Sequence, residues 1–291
     1  MIPRFTLHRP RTLEDAFAAF ERSGGDVAWI AGGTELLQVM KMGLAQFGTL
    51  IDVKAIPDLH GLERSPDGGL RIGAGTTHRL VERSSIVREH VPGLAALEAG
   101  VANVRVRNTG TIGGNLAFAE PHSDPATFLL ACAASVELAS PRGRRTLTIA
   151  EFMLGPLWTA REEDELVLAV HLPGVDRAVG RAYAKIAFFE RPSASVAVRL
   201  AIHDGAITDV TVAVGSLTEV PTLVAAAASA LDGAVARSDA VEDRVRAAHG
   251  AFDDLDVMPD LNGSADYKRH LAGVLLGRAA QLALTEAMVH A

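Results

Sequence analysis

Two glycine-rich segments carry the residue types that bind phosphate groups. The first, residues 31–36, reads Ala-Gly-Gly-Thr-Glu-Leu, and the second, residues 109–115, reads Thr-Gly-Thr-Ile-Gly-Gly-Asn. Glycine lets the backbone approach a ligand because no Cβ intrudes, and the amides of such a turn bind anions. The hydroxyl and amide side chains of the second segment suit a diphosphate or a ribityl chain. Two such turns in one chain could bind both ends of a dinucleotide.

Neither segment matches a standard nucleotide motif, and each taken alone also fits a tight connection between a strand and a helix. Gly73-Ala74-Gly75 lacks the third glycine of the dinucleotide fingerprint, because His78 stands at that position. The chain has no Gly-Lys-Ser or Gly-Lys-Thr sequence. A P-loop is therefore excluded, and a Rossmann dehydrogenase is disfavoured.

Apolar periodicity and the positions of glycine and proline predict the elements around these turns. Strands are predicted at residues 27–31, 50–53, 70–72, 136–139, 146–149, 166–172, 181–188, 196–202 and 209–214. Helices are predicted at residues 12–20, 92–101, 124–133, 223–231, 239–249 and 265–288, with short ones opening at Thr34 and after Thr76-Thr77. Residues 107–124 are predicted to form a loop. The fold class is α+β.

Composition disfavours several classes of protein. The 291 residues carry a net charge of −7 and no Lys/Arg-rich stretch, which argues against a nucleic-acid partner. The one cysteine, Cys132, lies in an apolar run, and alone it forms no internal disulfide and holds no iron–sulfur cluster. The ten histidines show no metal-site spacing. With no signal peptide and no apolar stretch near the ~20 residues of a membrane helix, we expect a cytoplasmic protein.

The two segments and their neighbours resemble the paired signatures of the FAD-binding medium subunits of molybdenum hydroxylases. This is the family of aerobic carbon monoxide dehydrogenase and bacterial xanthine dehydrogenase. The resemblance rests on residues 31–37 and 107–117, with Ser123-Asp124-Pro125 at a family-like distance. It covers nearly the whole chain, from Ile2-Pro3 through Glu165-Leu166-Val167 and Tyr183-Ala184-Lys185 to residues 266–269.

The resemblance implies an FAD-binding fold of the vanillyl-alcohol-oxidase type, made of two α/β subdomains. A C-terminal α+β domain with an antiparallel sheet and helices would follow. We expect the FAD-binding domain at residues 1–175, with subdomains at about 1–55 and 56–175, and the C-terminal domain at residues 176–291. The boundary is expected within residues 173–180.

The resemblance also implies a set of cofactor-binding residues. The two glycine segments would hold the FAD diphosphate, and Asp124 would bond the ribityl chain or an adjoining part. Val167 would pack on the isoalloxazine ring, and Lys185 would approach its N1/O2 edge, where a cation stabilises reduced flavin. The alternative for Lys185 is a strand lysine facing water. The full set is Ala31, Gly32, Gly33, Thr34, Glu35, Leu36, Thr109, Thr111, Ile112, Gly113, Gly114, Asn115, Asp124, Val167 and Lys185.

Two places depart from the family pattern. Residues 188–193 differ, which leaves open the residue that covers the flavin ring. Glu35 stands where relatives often have Ser, Asp or Asn, and a carboxylate beside a diphosphate is unfavourable unless it points away. His122, close to the second segment, is a possible cofactor neighbour.

In function, the resemblance implies an oxidoreductase subunit that passes electrons through FAD to an external acceptor. The electrons would come from iron–sulfur clusters on a small subunit, with the molybdenum cofactor on a large subunit, in a dimer of heterotrimers. Two alternatives remain open: a self-contained FAD-dependent oxidoreductase on the same fold, and a non-catalytic module that binds a phosphate ligand. No metal-binding or catalytic residue can be assigned from the sequence.

Overall fold

The computed structural model describes residues 2–175, 178–188, 191–248 and 250–289. Its helices are α1 (Leu13–Arg22), α2 (Leu36–Lys41), α3 (His78–Arg83), α4 (Ser85–His90), α5 (Pro92–Ala99), α6 (Val104–Thr109), α7 (Ile112–Phe118), α8 (Asp124–Ala131), α9 (Ile149–Phe152), α10 (Ala225–Leu231), α11 (Ser238–Ala247) and α12 (Ala265–Val289). Short 3₁₀ helices follow the third strand at Val53–Ala55 and Pro57–Leu59.

The strands form three larger sheets and one two-stranded ribbon. They are β1 (Thr6–His8), β2 (Val27–Ile30), β3 (Thr49–Asp52), β4 (Leu62–Arg64), β5 (Leu70–Gly73), β6 (Ser135–Ser140), β7 (Gly143–Thr148), β8 (Met153–Gly155), β9 (Trp158–Thr159), β10 (Leu166–Leu172), β11 (Val179–Ala187), β12 (Pro192–His203), β13 (Ala206–Gly215) and β14 (Thr222–Leu223).

The three larger sheets are formed in turn by successive parts of the chain. The first sheet is parallel, in the order β1-β3-β2, and the second is antiparallel, in the order β4-β5-β10-β6-β7. The third is an antiparallel meander, β11-β12-β13-β14. Strand β10 joins early and late parts of the second sheet, because it pairs with β5 on one side and β6 on the other.

Local sequence explains the helix that opens the first sheet. Thr12 precedes α1, and its hydroxyl accepts a hydrogen bond from the Asp15 amide at 3.1 Å, as an N-cap should. Leu13, Ala16 and Ala19 recur on one face and are buried. The polar side of the helix stays in solvent, so the helix covers one side of the parallel sheet.

Three hydrophobic clusters stabilise the described part of the chain. The largest joins α1 and the first sheet to the second sheet and to helices α3–α5, α7 and α8, and includes Ile51, Leu94, Phe128 and Leu168. The second lies between the meander and α12, and a small third one packs Met40 of α2 on Ile30 and Leu50 of the first sheet. A Cβ on Gly180 of β11 would clash with the Ala283 carbonyl oxygen, so helix and strand backbones pack directly. Within the described ranges no helix is both long and apolar enough to cross a membrane.

The predicted loop at residues 107–124 is wrong. The structure has two helices there, α6 and α7, with only short connections. Asn103 caps α6 by accepting from the amides of Arg105 and Val106, and the Thr111 hydroxyl caps α7 by accepting from the Gly114 amide. Glycines normally end helices, but those in α7 serve close packing. Helix α8 begins at Asp124, where the sequence predicted a helix to begin, with Ser123 at its N-cap and Pro125 in its first turn.

Candidate functional site

A cleft of about 1140 Å³ opens beside the two glycine turns. Its walls come from the first sheet, from α7 and α8, from β10 and from Arg191 and Asn262 of the C-terminal region. Twelve of the residues named from the sequence line it: Ala31, Gly32, Gly33, Thr34, Glu35, Leu36, Thr111, Gly113, Gly114, Asn115, Asp124 and Val167. Thr109, Ile112 and Lys185 lie behind this lining.

The two glycine turns touch each other at Gly32. A Cβ on Gly32 would clash with the Thr109 carbonyl oxygen and lie 2.7 Å from the Gly110 Cα. Only glycine allows the two backbones to come this close. The residue types predicted that the turns bind the two ends of a dinucleotide, but the structure brings the turns into direct contact, which suits a single diphosphate between them.

The first turn presents unpaired amides. Gly33 has a φ of +69°, a conformation that favours glycine, and α2 begins only at Leu36. The amides of Gly32, Gly33 and Thr34 donate to no acceptor among the described residues. Amides in front of a helix N-terminus are the usual donors to an anion.

The second turn presents mainly side chains, because most of its own amides are paired. Ile112 donates to the Thr76 carbonyl at 3.0 Å, and Gly113 donates to the Ala74 carbonyl at 2.9 Å. Ile112 is fully buried, and a Cβ on Gly113 would lie 2.8 Å from the Ala74 Cα. These two residues therefore pack α7 against the segment after β5.

Thr111 and Asn115 supply the polar groups of the second turn. The Asn115 Oδ1 accepts from the Ser123 hydroxyl at 2.6 Å, which leaves the Asn115 amide group to donate. The Thr111 hydroxyl accepts from Gly114 and keeps its own proton for another acceptor. Thr109, behind them, donates its hydroxyl to the Arg105 carbonyl at 3.2 Å.

Asp124 is a buried carboxylate at the edge of the cleft. Its two oxygens accept from the Tyr183 hydroxyl and from the Lys185 ammonium. Burial raises the pKa of the Asp124 carboxyl, while Lys185 and Tyr183 favour its charged form. Lys185 also donates to the Gly100 carbonyl at 2.9 Å. The lysine therefore does not face open water, and it reaches the cleft through Asp124.

An aromatic pair in the cleft wall was not predicted from the sequence. Phe20 and Trp29 stack with centroids 5.0 Å apart and planes 12° apart. The Trp29 Nε1–H donates to the Glu163 carbonyl at 2.9 Å, which ties the first sheet to the loop before β10. In the sequence both residues read as ordinary core positions of a helix and a strand, and no motif marks them.

The segment that departs from the family pattern is described only in part. Phe189 and Glu190 lie outside the described residues. Phe188 is exposed, Ser193 is fully buried, and Arg191 lines the cleft with its Nε 3.7 Å from Glu120.

Comparison with known proteins shows to which family the chain belongs. Residues 3–175 match the model of the FAD binding domain in molybdopterin dehydrogenase, and residues 191–283 match the CO dehydrogenase flavoprotein C-terminal domain. The chain belongs to the FAD-binding medium subunits of the carbon monoxide and xanthine dehydrogenase family. This confirms the family, the fold, the oxidoreductase class and the FAD cofactor that the resemblance implied.

Individual relatives of this medium subunit extend over nearly all of it. The carbon monoxide dehydrogenase medium chain of Hydrogenophaga pseudoflava is 33% identical, with 95% of this chain and 96% of that one covered. The nicotine 6-hydroxylase medium subunit of Paenarthrobacter nicotinovorans is 35% identical, with the same coverage. The solved carbon monoxide dehydrogenase of Hydrogenophaga pseudoflava superposes with a TM-score of 0.90 at 32% identity, over 98% of this chain and 99% of that chain.

The hydrogen-bond donors that line the cleft of this medium subunit suit FAD. Unpaired amides at the first turn and the polar side chains of Thr111 and Asn115 meet where the two backbones touch. A diphosphate needs such a set of donors without side-chain bulk. Val167 of β10 lies in the cleft wall at a bulge, where strand pairing with β6 shifts register.

A group of hydrogen-bonded charged side chains around His122, the histidine clasp, joins the segment before α8 to the C-terminal region of this medium subunit at the cleft. The His122 Nε2 lies 2.8 Å from Asp260 Oδ2, and Nδ1 lies 3.1 Å from Glu120 Oε1. Lys268, almost fully buried, donates to the same Asp260 oxygen at 2.7 Å and to the Ser216 carbonyl. The hydrogen bond to Glu120 is the main cause that raises the pKa of His122, against an opposing effect of burial, and Asp260 raises it further.

We expect the clasp to make stability depend on pH. Because the pKa of His122 is raised on folding, its contribution is complete below the usual value of about 6.5 and is lost as pH rises through the raised pKa. The contribution should be on the order of 1 kcal/mol. Thermal unfolding from mildly acidic to mildly alkaline pH measures it. His122→Gln should flatten the profile, and an unchanged slope in that variant would show that the clasp carries no charge.

Proposed function

We propose that this chain is the electron-transfer subunit of a molybdenum hydroxylase. It takes electrons from iron–sulfur clusters on a partner chain and passes them to an external acceptor. Bound FAD supplies the exchange of electrons in single steps and in pairs. The observation that carries the proposal is the meeting of the two glycine turns at a cleft with unpaired amides.

Different residues of this chain bind different parts of the cofactor. The amides of residues 32–34 and the side chains of Thr111 and Asn115 bind the diphosphate. Asp124, fixed by Tyr183 and Lys185, accepts from a hydroxyl of the ribityl chain or its neighbour. Val167, in the cleft wall, would pack against the flavin ring, and Lys185 balances the charge of Asp124. Residues 1–175 form the FAD-binding domain and residues 176–291 the C-terminal domain.

The rest of the electron path belongs to partner chains. A single cysteine cannot ligate an iron–sulfur cluster, and Cys132 is buried, with a pKa raised by burial to about 12. Among the described residues no His, Cys, Asp and Glu side chains gather into a metal site. The curated relatives are medium subunits of multi-subunit enzymes, which supports a small iron–sulfur partner and a large molybdenum partner. A dimer of heterotrimers and a cytoplasmic location complete the proposal.

The isolated chain should bind FAD and be reducible by dithionite, yet oxidise no organic substrate. We expect no hydroxylation of aldehydes or N-heterocycles and no oxidation of carbon monoxide by the lone chain. Adding the small and large partner subunits should restore substrate-dependent bleaching of the flavin absorbance. Anaerobic absorbance spectra with and without the partners provide the measurement.

A control distinguishes a role of this chain in electron transfer from a role only in assembly of the complex. A complex built with an FAD-free variant of this chain should still let substrate reduce the iron–sulfur clusters but should transfer few electrons to an external acceptor. Turnover of any such substrate by the lone chain at an enzymatic rate would replace the proposal with a self-contained flavoenzyme. A chain that binds phosphate ligands but takes up no FAD would leave only a binding module.

A further inference from the structure

A buried ion pair lies behind the two glycine turns. The His78 Nδ1 is 2.7 Å from Glu98 Oε2, and the two side chains are 3% and 0% exposed. The second carboxylate oxygen of Glu98, Oε1, has no partner within the described residues. A buried carboxylate with a single partner requires a cation there, because an uncompensated buried charge is costly. The pairing with Glu98 therefore favours the protonated imidazole of His78.

The position of His78 links it to both turns. Its amide donates to the Gly110 carbonyl at 3.1 Å. A Cβ on Gly110 would lie 3.2 Å from the His78 Cδ2 and 3.4 Å from the Thr34 Oγ1. The imidazole, the first turn and the second turn thus converge at Gly110, and His78 is part of the cleft wall.

The turns otherwise lack a cation. Neither residues 31–36 nor residues 109–115 include a lysine or arginine. Of the described cations in the cleft wall, Arg161 donates to backbone carbonyls of the loop before β10, and Arg191 and His122 lie by Glu120. Arg107, behind the wall, pairs with Glu82 at 3.3 Å. A diphosphate is dianionic, and amides alone neutralise only part of that charge.

We propose that His78, paired with Glu98, is a further FAD-binding residue that places an imidazolium beside the diphosphate at the two glycine turns. The inference rests on the proposed FAD site and adds a charged group to it. With Nδ1 used by Glu98, the Nε2–H next to Cδ2 is left to donate to a phosphate oxygen. A charged donor to a phosphate makes a strong hydrogen bond.

Several charged groups face His78. Glu98 comes from α5, Arg107 from α6 and Asp124 from α8, and Asp124 is itself balanced by Lys185. Burial opposes the charged imidazole, but Glu98 outweighs it and Asp124 helps, so the pKa of His78 is raised. FAD affinity should therefore be full at mildly acidic pH and fall as pH rises through that pKa.

The test measures FAD dissociation constants of the full-length chain by flavin fluorescence across this pH range. The wild-type chain should lose affinity roughly tenfold as His78 deprotonates. Glu98→Gln removes the carboxylate that keeps the imidazole charged, so the same fall should occur at lower pH. The double variant His78→Gln/Glu98→Gln leaves no unpaired buried charge, and it should bind weakly with no dependence on pH.

A matched control uses a histidine–glutamate pair away from the cleft. The His171 Nε2 lies 3.0 Å from Glu137, and neither residue lines the cleft, so His171→Gln should keep the wild-type profile. The inference is overturned if the double variant binds FAD as tightly as the wild type at mildly acidic pH. A loss of affinity that is equal at every pH would also overturn it, since that is the mark of a structural role. A wild-type chain that takes up no FAD would instead refute the proposed function.

Discussion

Gly32→Ala is expected to weaken FAD binding by roughly ten- to hundredfold while the chain still folds. The new Cβ would clash with the Thr109 carbonyl oxygen and lie 2.7 Å from the Gly110 Cα, both backbone atoms that no rotation removes. The two turns must then separate, and their donors no longer converge on one diphosphate. Overpacking of this kind costs about 1–3 kcal/mol, or roughly ten- to hundredfold in affinity. Flavin absorbance per mole of purified protein measures the loss.

Gly273→Ala is the matched control for this substitution. Gly273 lies in α12, and a Cβ there would meet nothing within 4 Å. That variant should keep its FAD and be more stable by about 0.5–1 kcal/mol, because alanine is the better helix former. A yellow Gly32→Ala protein with full flavin content would show that contact between the turns does not create the site.

Lys185→Met should destabilise the chain by about 3–5 kcal/mol, because it leaves the buried carboxylate of Asp124 without its cation. The side chains of Lys185 and Asp124 are 20% and 5% exposed. The Tyr183 hydroxyl still donates to Asp124, but a neutral hydroxyl does not compensate a buried charge. Urea unfolding of the FAD-free chain measures the change without a contribution from cofactor binding.

Lys54→Met provides the comparison at an exposed pair. The Lys54 Nζ lies 3.3 Å from Asp52, and its side chain is 50% exposed, so its loss should cost about 0–1 kcal/mol. A double variant Lys185→Met/Asp124→Asn should recover much of the lost stability, because it removes the uncompensated charge. If Lys185→Met costs no more than Lys54→Met, Asp124 is not charged in the folded chain.

Elements with strong periodicity could be predicted from the sequence. Strand β10 spans the residues expected for it, and α1 and α12 match to within a few residues at their ends. These segments carry their own signals: a cap at Thr12, a run of apolar residues in β10 and a long apolar stripe in α12. The two glycine turns could also be found, because glycines beside threonine and asparagine indicate phosphate chemistry through their residue types alone.

The features that could not be predicted from the sequence depend on contacts between residues that lie far apart along the chain. The glycines of α7 suggested a loop, because their reason is the close approach of Ala74 from another element. His78 read as a lone histidine, because Glu98 comes to it only when α3 packs against α5. Nothing in the sequence indicated that Trp29 lines the cleft, because the carbonyl that its indole binds, at Glu163, lies 134 residues further along the chain.

The pairing of β10 with β5 also sets the order in which this subunit can be built during synthesis. The Ala74 amide donates to the Leu168 carbonyl at 2.8 Å, and Val167 and Glu163 form part of the cleft wall. A nascent chain that has reached α8 holds both glycine turns but lacks that wall. Contacts of such long sequence separation form late and slow a folding reaction. The complete cleft therefore forms only after β10 has left the ribosome, and until then β5 has β4 as a strand partner on one side alone.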